Sequence, residues 1–214
     1  TETVNFAQGE LMMLGAFGAL ALMKFSGLSF WAAAPLAVLG MMALGVVIER
    51  VVIRPILGQP QFTVVMLTIG LGYLCRGLIT MLPGIGSETN SLDAPYKGQV
   101  LDLGGAVISI DQLIVILATA VLCGVLYAMF RFSKIGIAMQ ASSQNQLAAY
   151  YMGIPVRRLN GLVWGLSAGV AALAGLLLAP ITFVHANMGF IGLKAFPAAV
   201  VGGFGSLPGA IVGG

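Results

Sequence analysis

The chain has 214 residues, of which 59% are hydrophobic and only 8% are charged. Soluble domains carry about 25% charged residues, so this composition excludes a water-exposed globular surface and a soluble enzyme. The formal net charge of +3 is small, so the positions of the cations matter more than their sum.

Long uncharged runs predict membrane-spanning helices, each of which needs about 20 predominantly apolar residues. The first run, 11–23, is short and spans the bilayer only if residues 5–9 also lie at membrane depth. The longer runs are 30–48, 56–75 (continuing to about residue 82), 112–130, 159–184 and 195–214. About six membrane segments are expected. They lack the alternation of a membrane β-barrel, so the predicted fold is an all-α polytopic transmembrane bundle.

Polar groups at the start of the first run and inside the third need an explanation, because a charge at mid-bilayer costs about 2.5–3.5 kcal/mol. Glu10 lies directly against an apolar run, so we expect it to be paired, cavity-facing or interfacial. Arg76 lies seven residues before Pro83, and we expect its side chain to extend outward to the membrane surface rather than to act in gating.

The cations of the loops predict the orientation, because cytoplasmic loops carry an excess of Lys and Arg. Loops 49–60 and 131–158 are rich in cations. Loop 83–111 between them holds one cation against four acidic residues, and the turns around Lys24 and Lys194 hold one cation each. We therefore expect two basic loops in the cytoplasm and three poorer ones outside.

The external loop 83–111 contains a predicted β-hairpin. Residues 100–110 form two short strand patterns around Gly104 and Gly105. A Gly-Gly pair supplies the positive φ angles that a two-residue hairpin turn needs. An irregular loop is the alternative interpretation.

The large cytoplasmic loop 131–158 contains a predicted short helix, 140–153. Ser142 or Ser143 can cap it, and it ends at Gly153 with Pro155 just beyond. The residues that share its apolar face are Ala148, Tyr151 and Met152. Such a helix can lie on the membrane or insert into a groove on a cytoplasmic partner, and the residues alone leave both possibilities open.

Glycine spacing predicts close helix packing and one broken segment. Spacing of four residues lets two helix backbones approach each other, and it occurs at Gly161, Gly165 and Gly169 and again at Gly205, Gly209 and Gly213. Residues 196–209 contain two prolines and four glycines and cannot form one regular helix. Broken backbone at membrane depth indicates a substrate route. A loop at the membrane surface is the alternative.

Three segments carry motifs of a known family. Residues 5–16 open the chain with Asn-Phe-Ala-Gln-Gly-Glu, residues 147–154 lie in the basic loop, and residues 195–210 form the Gly-rich segment. In this order they resemble the opening motif, the EAA loop and the late Gly-rich motif of LivH-type permeases of branched-chain amino-acid ABC transporters. The sequence departs from that pattern at Gln8, where the family usually has His, and at Leu147, which occupies the acidic position of the EAA loop.

The resemblance implies a permease subunit of an ATP-driven importer in the bacterial inner membrane. Its partners would be a homologous second permease, two cytoplasmic ATPase subunits and a periplasmic amino-acid-binding protein. The substrates would be branched-chain amino acids, although the same family pattern serves urea, short amides and other amino acids. The chain would be one permease domain, 1–214, of a longer protein that also has a preceding helix and further C-terminal spans.

The resemblance also assigns candidate residues. The candidates for the substrate path are Asn5, Gln8, Glu10, Gly202, Gly203, Gly205 and Ser206. The candidates for the ATPase contact are Leu147, Ala148, Ala149, Tyr151, Met152 and Gly153. No Asp or Glu occurs in 131–158, so apolar and backbone contacts would have to hold the ATPase.

Three other classes of function are weighed against the importer. A secondary transporter or channel would need ionisable relays in its spans, and an embedded enzyme would need a reactive cluster, although His185 is the only histidine. A purely structural subunit would not need the broken Gly/Pro segment. No phosphate-binding loop is present in the sequence, so we expect hydrolysis by a partner, and we expect no catalytic residue, cofactor or metal site here.

Overall fold

The computed structural model describes residues 5–56, 58–102 and 107–203, together with Gly209 and Gly213. The helices are α1 (Gln8–Ser26), α2 (Phe30–Ile48), α3 (Gln61–Thr80), α4 (Ile110–Phe132), α5 (Lys134–Gln144), α6 (Gln146–Tyr151), α7 (Val156–Thr182), α8 (Gly189–Leu193) and α9 (Ala195–Gly202). The strands are β1 (Val100–Asp102) and β2 (Val107–Ser109). A π-helical turn, Glu49–Ile53, and a 3-10 turn, Arg54–Ile56, extend α2.

Within the described residues, five helices are long and apolar enough to cross a membrane: α1, α2 with its extension, α3, α4 and α7. The predicted all-α polytopic bundle is thus confirmed. The short first run becomes a full span because α1 begins at Gln8 and takes in the polar residues before Leu11.

The last predicted membrane segment, 195–214, does not appear as one span in the part of the chain that is described. Its described helix, α9, has eight residues and ends at Gly202. Gly203 has a φ angle of 85°, which is incompatible with a continuing right-handed helix. The predicted break in this Gly-rich segment is therefore present.

Helix α7 lies at the centre of the bundle, between α1 and α2. A Cβ at Gly165 would lie 2.9 Å from Val46, and a Cβ at Gly169 would lie 2.6 Å from Met42. Gly161 also faces α2, so the predicted glycine face of α7 is confirmed. Small residues there allow the close backbone approach that stabilises helices in lipid.

The loop between α3 and α4 packs over one end of the bundle. Lys24 Nζ at the end of α1 donates a hydrogen bond to the carbonyl oxygen of Gly84 at 2.6 Å. Asn90 and Val184 form an antiparallel bridge, which joins this loop to the chain that leaves α7. In the same loop β1 pairs with β2 in antiparallel register, so the predicted strands are confirmed; Gly104 and Gly105 lie outside the described residues.

The basic loop at the other end of the bundle differs from its prediction. In place of one helix over 140–153, α5 and α6 meet at Asn145, whose side-chain oxygen accepts a hydrogen bond from the Ala148 amide at 3.0 Å. Ser142 and Ser143 lie inside α5 and do not cap a helix; Ser143 Oγ donates to the carbonyl oxygen of Gln140 instead. The predicted end at Gly153 is confirmed, since its φ angle is 81°.

We expect Gly45→Ala to destabilise the bundle by about 1–3 kcal/mol, because overpacking a tight contact forces backbone shifts. A Cβ at this position would lie 2.5 Å from the backbone oxygen of Trp164 on α7. Gly40→Ala on the same helix is the matched control, since nothing lies within 4 Å of a Cβ there. Thermal unfolding in detergent measures both variants, and equal melting temperatures would contradict the packing described.

Candidate functional site

The first turn of α1 lies near the middle of the bundle. The Phe6 amide donates a hydrogen bond to Thr68 Oγ1 on α3 at 3.3 Å. Glu10 lies beside Gly72, where an added Cβ would be 3.1 Å from its Cγ. Gly72 is close to the midpoint of the 20-residue helix α3. The polar segment 5–10 therefore lies at membrane depth, which was the condition for counting α1 as a span.

An ion pair joins Glu10 to Arg76 at this depth. Arg76 Nη2 donates to Glu10 Oε1, and the two side chains are only 13% (Glu10) and 16% (Arg76) exposed. The Arg76 guanidinium also lies over the Phe190 ring, 4.1 Å from its centroid. The prediction that Arg76 extends outward is thus wrong. An unpaired carboxylate at this depth would be costly, and the pairing of Glu10 with Arg76 neutralises both charges.

Helix α8 covers this ion pair through glycine contacts. A Cβ at Gly189 would lie 2.4 Å from Glu10 Oε2, and a Cβ at Gly192 would lie 2.4 Å from the Cα of Gly9. The absence of side chains therefore lets α8 reach the first turn of α1. In addition, the Phe6 and Phe196 rings lie 5.3 Å apart, so α9 approaches the same turn.

Gln8 faces the other side of α1, toward α7. Gln8 Nε2 donates to the backbone oxygen of Ser167 at 3.1 Å, and Ser167 Oγ donates to Gln8 Oε1 at 3.0 Å. Asn5 Nδ2 donates to the same Oε1 at 3.2 Å. These bonds hold α1 against α7. Gln8 and Ser167 also border a cavity of about 210 Å³ whose other walls are apolar side chains of α4, α5 and α7.

The remaining path candidates lie in the Gly-rich segment. Gly202 ends α9, and a Cβ at Gly213 would lie 3.0 Å from its backbone nitrogen. Gly203 has the positive φ angle noted above. Gly205 and Ser206 lie outside the described residues.

The candidate ATPase contact is an exposed apolar surface on α6. The exposed large side chains are Leu147, Tyr150, Tyr151 and Met152, with exposed fractions of 64%, 67%, 77% and 83%. Ala148 and Gly153 are also exposed, whereas Ala149 is buried and faces the bundle. Tyr150, which the sequence reasoning missed, packs its ring edge-on against that of Tyr151, 6.1 Å away.

A second ion pair was not foreseen from the sequence. Arg54 donates two hydrogen bonds to Glu49, from Nε to Oε1 at 3.2 Å and from Nη2 to Oε2 at 2.8 Å, and Glu49 is 1% exposed. Arg54 Nη2 also donates to the backbone oxygen of Arg157 at 3.3 Å. The pair ties the end of α2 to the start of α7. The sequence signals this pair only by a spacing of five residues. Residues at that spacing do not face each other on an α-helix, but the π-helical turn brings them together.

Metal binding has no geometric basis in the described part of the chain. Within it, no group of three or more His, Cys, Asp or Glu side chains is placed to hold an ion. Cys75 and Cys123 are both free thiols.

Comparison with known proteins gives consistent matches over the whole chain. The profile of a family described as the permease component of branched-chain amino acid transport systems matches residues 1–214. The high-affinity branched-chain amino acid transport system permease protein LivH of Salmonella typhimurium is 30% identical over 225 residues, which cover 99% of this chain and 72% of that protein.

Two further relatives have similar names. The corresponding permease BraD of Pseudomonas aeruginosa is 29% identical, with 99% of this chain and 73% of BraD covered. A probable LivH of Methanocaldococcus jannaschii is 30% identical, with 100% and 69% covered. No solved structure matches the chain.

Proposed function

Because the chain belongs to the branched-chain amino acid transport permease family, we propose that it is the membrane subunit of an ATP-driven importer for branched-chain amino acids. The chain is a multi-pass membrane permease component. The structural observation that best supports the proposal is the polar first turn of α1 at mid-bilayer, covered by a short glycine-rich helix. Interrupted segments at this depth are typical of substrate routes in transporters.

The proposed substrate path follows the first turn of α1. Asn5, Gln8 and Glu10 supply its polar groups, and the glycines of α8 allow its backbone to approach α1 closely. Gly202, which ends α9, and Gly203 are included in the proposed path. Gly205 and Ser206, which lie outside the described residues, are also proposed to belong to the substrate path. Many apolar walls and few polar groups suit a small zwitterion with an aliphatic side chain.

The proposed partners are a homologous second permease, two cytoplasmic ATPase subunits and a periplasmic amino-acid-binding protein. Helix α6 would insert into a groove on an ATPase, because it presents four exposed large apolar side chains on a loop without any acidic residue. Arg157 and Arg158, which follow it, are exposed and basic. This chain itself would hydrolyse no ATP.

A physical route connects α6 to the spans. The backbone passes from α6 through Gly153 and Pro155 directly into α7. The backbone oxygen of Arg157 in the first turn of α7 accepts a hydrogen bond from Arg54, which is ion-paired with Glu49 at the end of α2. A displacement of α6 by the ATPase would therefore move α7 and α2 together, and α7 contacts the first turn of α1 through Ser167 and Gln8. Rocking of these spans would give alternating access.

The decisive experiment is uptake by the complete importer in proteoliposomes. With ATP inside and substrate-loaded binding protein outside, we expect accumulation of leucine, competition by valine and isoleucine, and no uptake without ATP. Leucine uptake that is independent of ATP would contradict the proposal and favour a secondary transporter or channel. ATP-driven uptake of urea or an amide without leucine uptake would overturn the proposed substrate.

The α6 contact predicts the effect of a single charge. Tyr151→Asp would place an unpaired carboxylate in an apolar interface, so the amount of co-purified ATPase should fall at least about tenfold. Val100→Asp is the matched control, because Val100 is also an exposed apolar residue, 62% accessible, but lies on the hairpin at the other end of the bundle. Equal ATPase recovery with both variants would rule out α6 as the contact.

The proposed orientation places loops 49–60 and 131–158 in the cytoplasm of a bacterial inner-membrane protein. In a background with Cys75 and Cys123 replaced by Ala, we expect a membrane-impermeant maleimide to label Gln99→Cys in intact cells. Ser143→Cys should react only after permeabilisation, since both positions are exposed but lie at opposite ends of the bundle. The reverse labelling pattern would invert the proposed topology.

A further inference from the structure

Two polar atoms of the mid-bilayer ion pair are buried without a hydrogen-bond partner: Oε2 of Glu10 and Nε of Arg76. The bond between the two side chains uses Oε1 and Nη2 and leaves this second acceptor and second donor unused. Buried polar atoms are almost always paired, and in a bilayer no bulk water is at hand to pair them. The unused pair therefore points to a ligand that supplies one acceptor and one donor.

The surroundings of the pair favour a ligand over a purely structural role. On one side the Arg76 guanidinium is flanked by the rings of Phe190 and Tyr73, at 4.1 and 6.0 Å from their centroids. On the other side the neighbours of the carboxylate are glycines: Gly72 on α3 and Gly189 on α8. Gly189 and Gly72 pack against the Glu10 side chain without adding a polar group, so neither supplies a partner for Oε2.

The polar groups around Gln8 offer a useful contrast. Gln8 Oε1 accepts from Ser167 and from Asn5, and Gln8 Nε2 donates to α7, so both polar atoms of this side chain have partners. Gln8 thus serves to join helices, whereas the Glu10–Arg76 pair retains binding capacity at the same depth.

We propose that Glu10 and Arg76 form the site that recognises the charged ends of an amino-acid zwitterion during its passage, with Arg76 binding the α-carboxylate and Glu10 binding the α-ammonium. A carboxylate oxygen accepts the free Nε–H, and an ammonium N–H donates to the free Oε2. Each charged end of the zwitterion thereby meets a group of opposite charge. These contacts offset the free-energy cost of removing the zwitterion from water. This inference rests on the proposed function and names the recognition element within it.

Access to the pair depends on α8. Helix α8 has five residues and meets α1 through Gly189, Gly192 and Gly9, while its Phe190 lies over the Arg76 guanidinium. A shift of α8 away from α1 would lift Phe190 from the guanidinium and expose Oε2 to the path. The recognition site would therefore open and close as α8 moves against the first turn of α1.

The test uses the complete importer and measures assembly, kcat and KM of leucine uptake for several variants. Arg76→Lys keeps the charge and the ion pair but loses the planar guanidinium and its Nε–H. We expect normal assembly and a KM raised at least about tenfold, the loss typical of a hydrogen bond to a charged group. Lys24→Gln, which removes an exposed cation at the far end of α1, is the matched control and should leave KM unchanged.

The double variant Glu10→Gln with Arg76→Gln separates recognition from structure. Removing both members of a buried ion pair is far less disruptive than removing one. If the pair is purely structural, the double variant should therefore regain the uptake that Glu10→Gln or Arg76→Gln loses alone. Recognition predicts that assembly recovers while uptake stays at least about tenfold below the parent importer.

Unchanged KM in Arg76→Lys, or uptake restored in the double variant, would overturn the recognition role. Either result would leave the importer itself in place, since the parent protein would still accumulate leucine with ATP. If the parent importer takes up no amino acid, it is the proposed function that fails, and the two failures are distinguished by that first measurement.

Discussion

The fold depends on placing one carboxylate, that of Glu10, in the middle of a bilayer. A charge there is tolerated when a partner neutralises it, and Arg76 on α3 does so. This requirement brings the first turn of α1 against the middle of α3 and brings Phe190 over the guanidinium. Because α8 also has to fit against the carboxylate, glycine is needed at position 189. The pair therefore determines how a spanning helix, its neighbour and a short interrupted helix meet.

The second ion pair has a different role because it lies at the end of the bundle. Glu49 is fully enclosed, yet Arg54 is about one-third exposed and also holds the backbone of α7 through Arg157. The extension of α2 as a π-helical turn brings the two side chains together, and such turns often occur at functional positions. One charged pair thus organises the proposed substrate path and the other links α6 and α7 to α2. Between the two regions, the glycines of α7 pack against Val46 and Met42 of α2.

Local patterns in the sequence were enough to predict the five spanning helices, the strands of the external loop and the glycine face of α7. Each depends on periodicity or turn chemistry within about 20 residues. The prediction for Arg76 failed because its partner lies 66 residues away, and no local pattern reports that contact. Glu49 and Arg54 were missed because the π-helical turn departs from ordinary helical spacing. The helix over 140–153 was misplaced because Asn145 and two serines are all good caps, and only packing decides among them.

The ionisable groups also bear on the energy source of transport. A proton-driven carrier needs carboxylates or histidines that exchange protons along a path through its spans. Among the described residues in the middle of the spans, Glu10 and Arg76 are paired with each other. Gln8 occupies a position where the family usually has His, and its amide does not titrate. In the proposed importer the force that moves the helices would come from outside the spans, and the exposed apolar surface of α6, which precedes α7 along the chain, is where it would be applied.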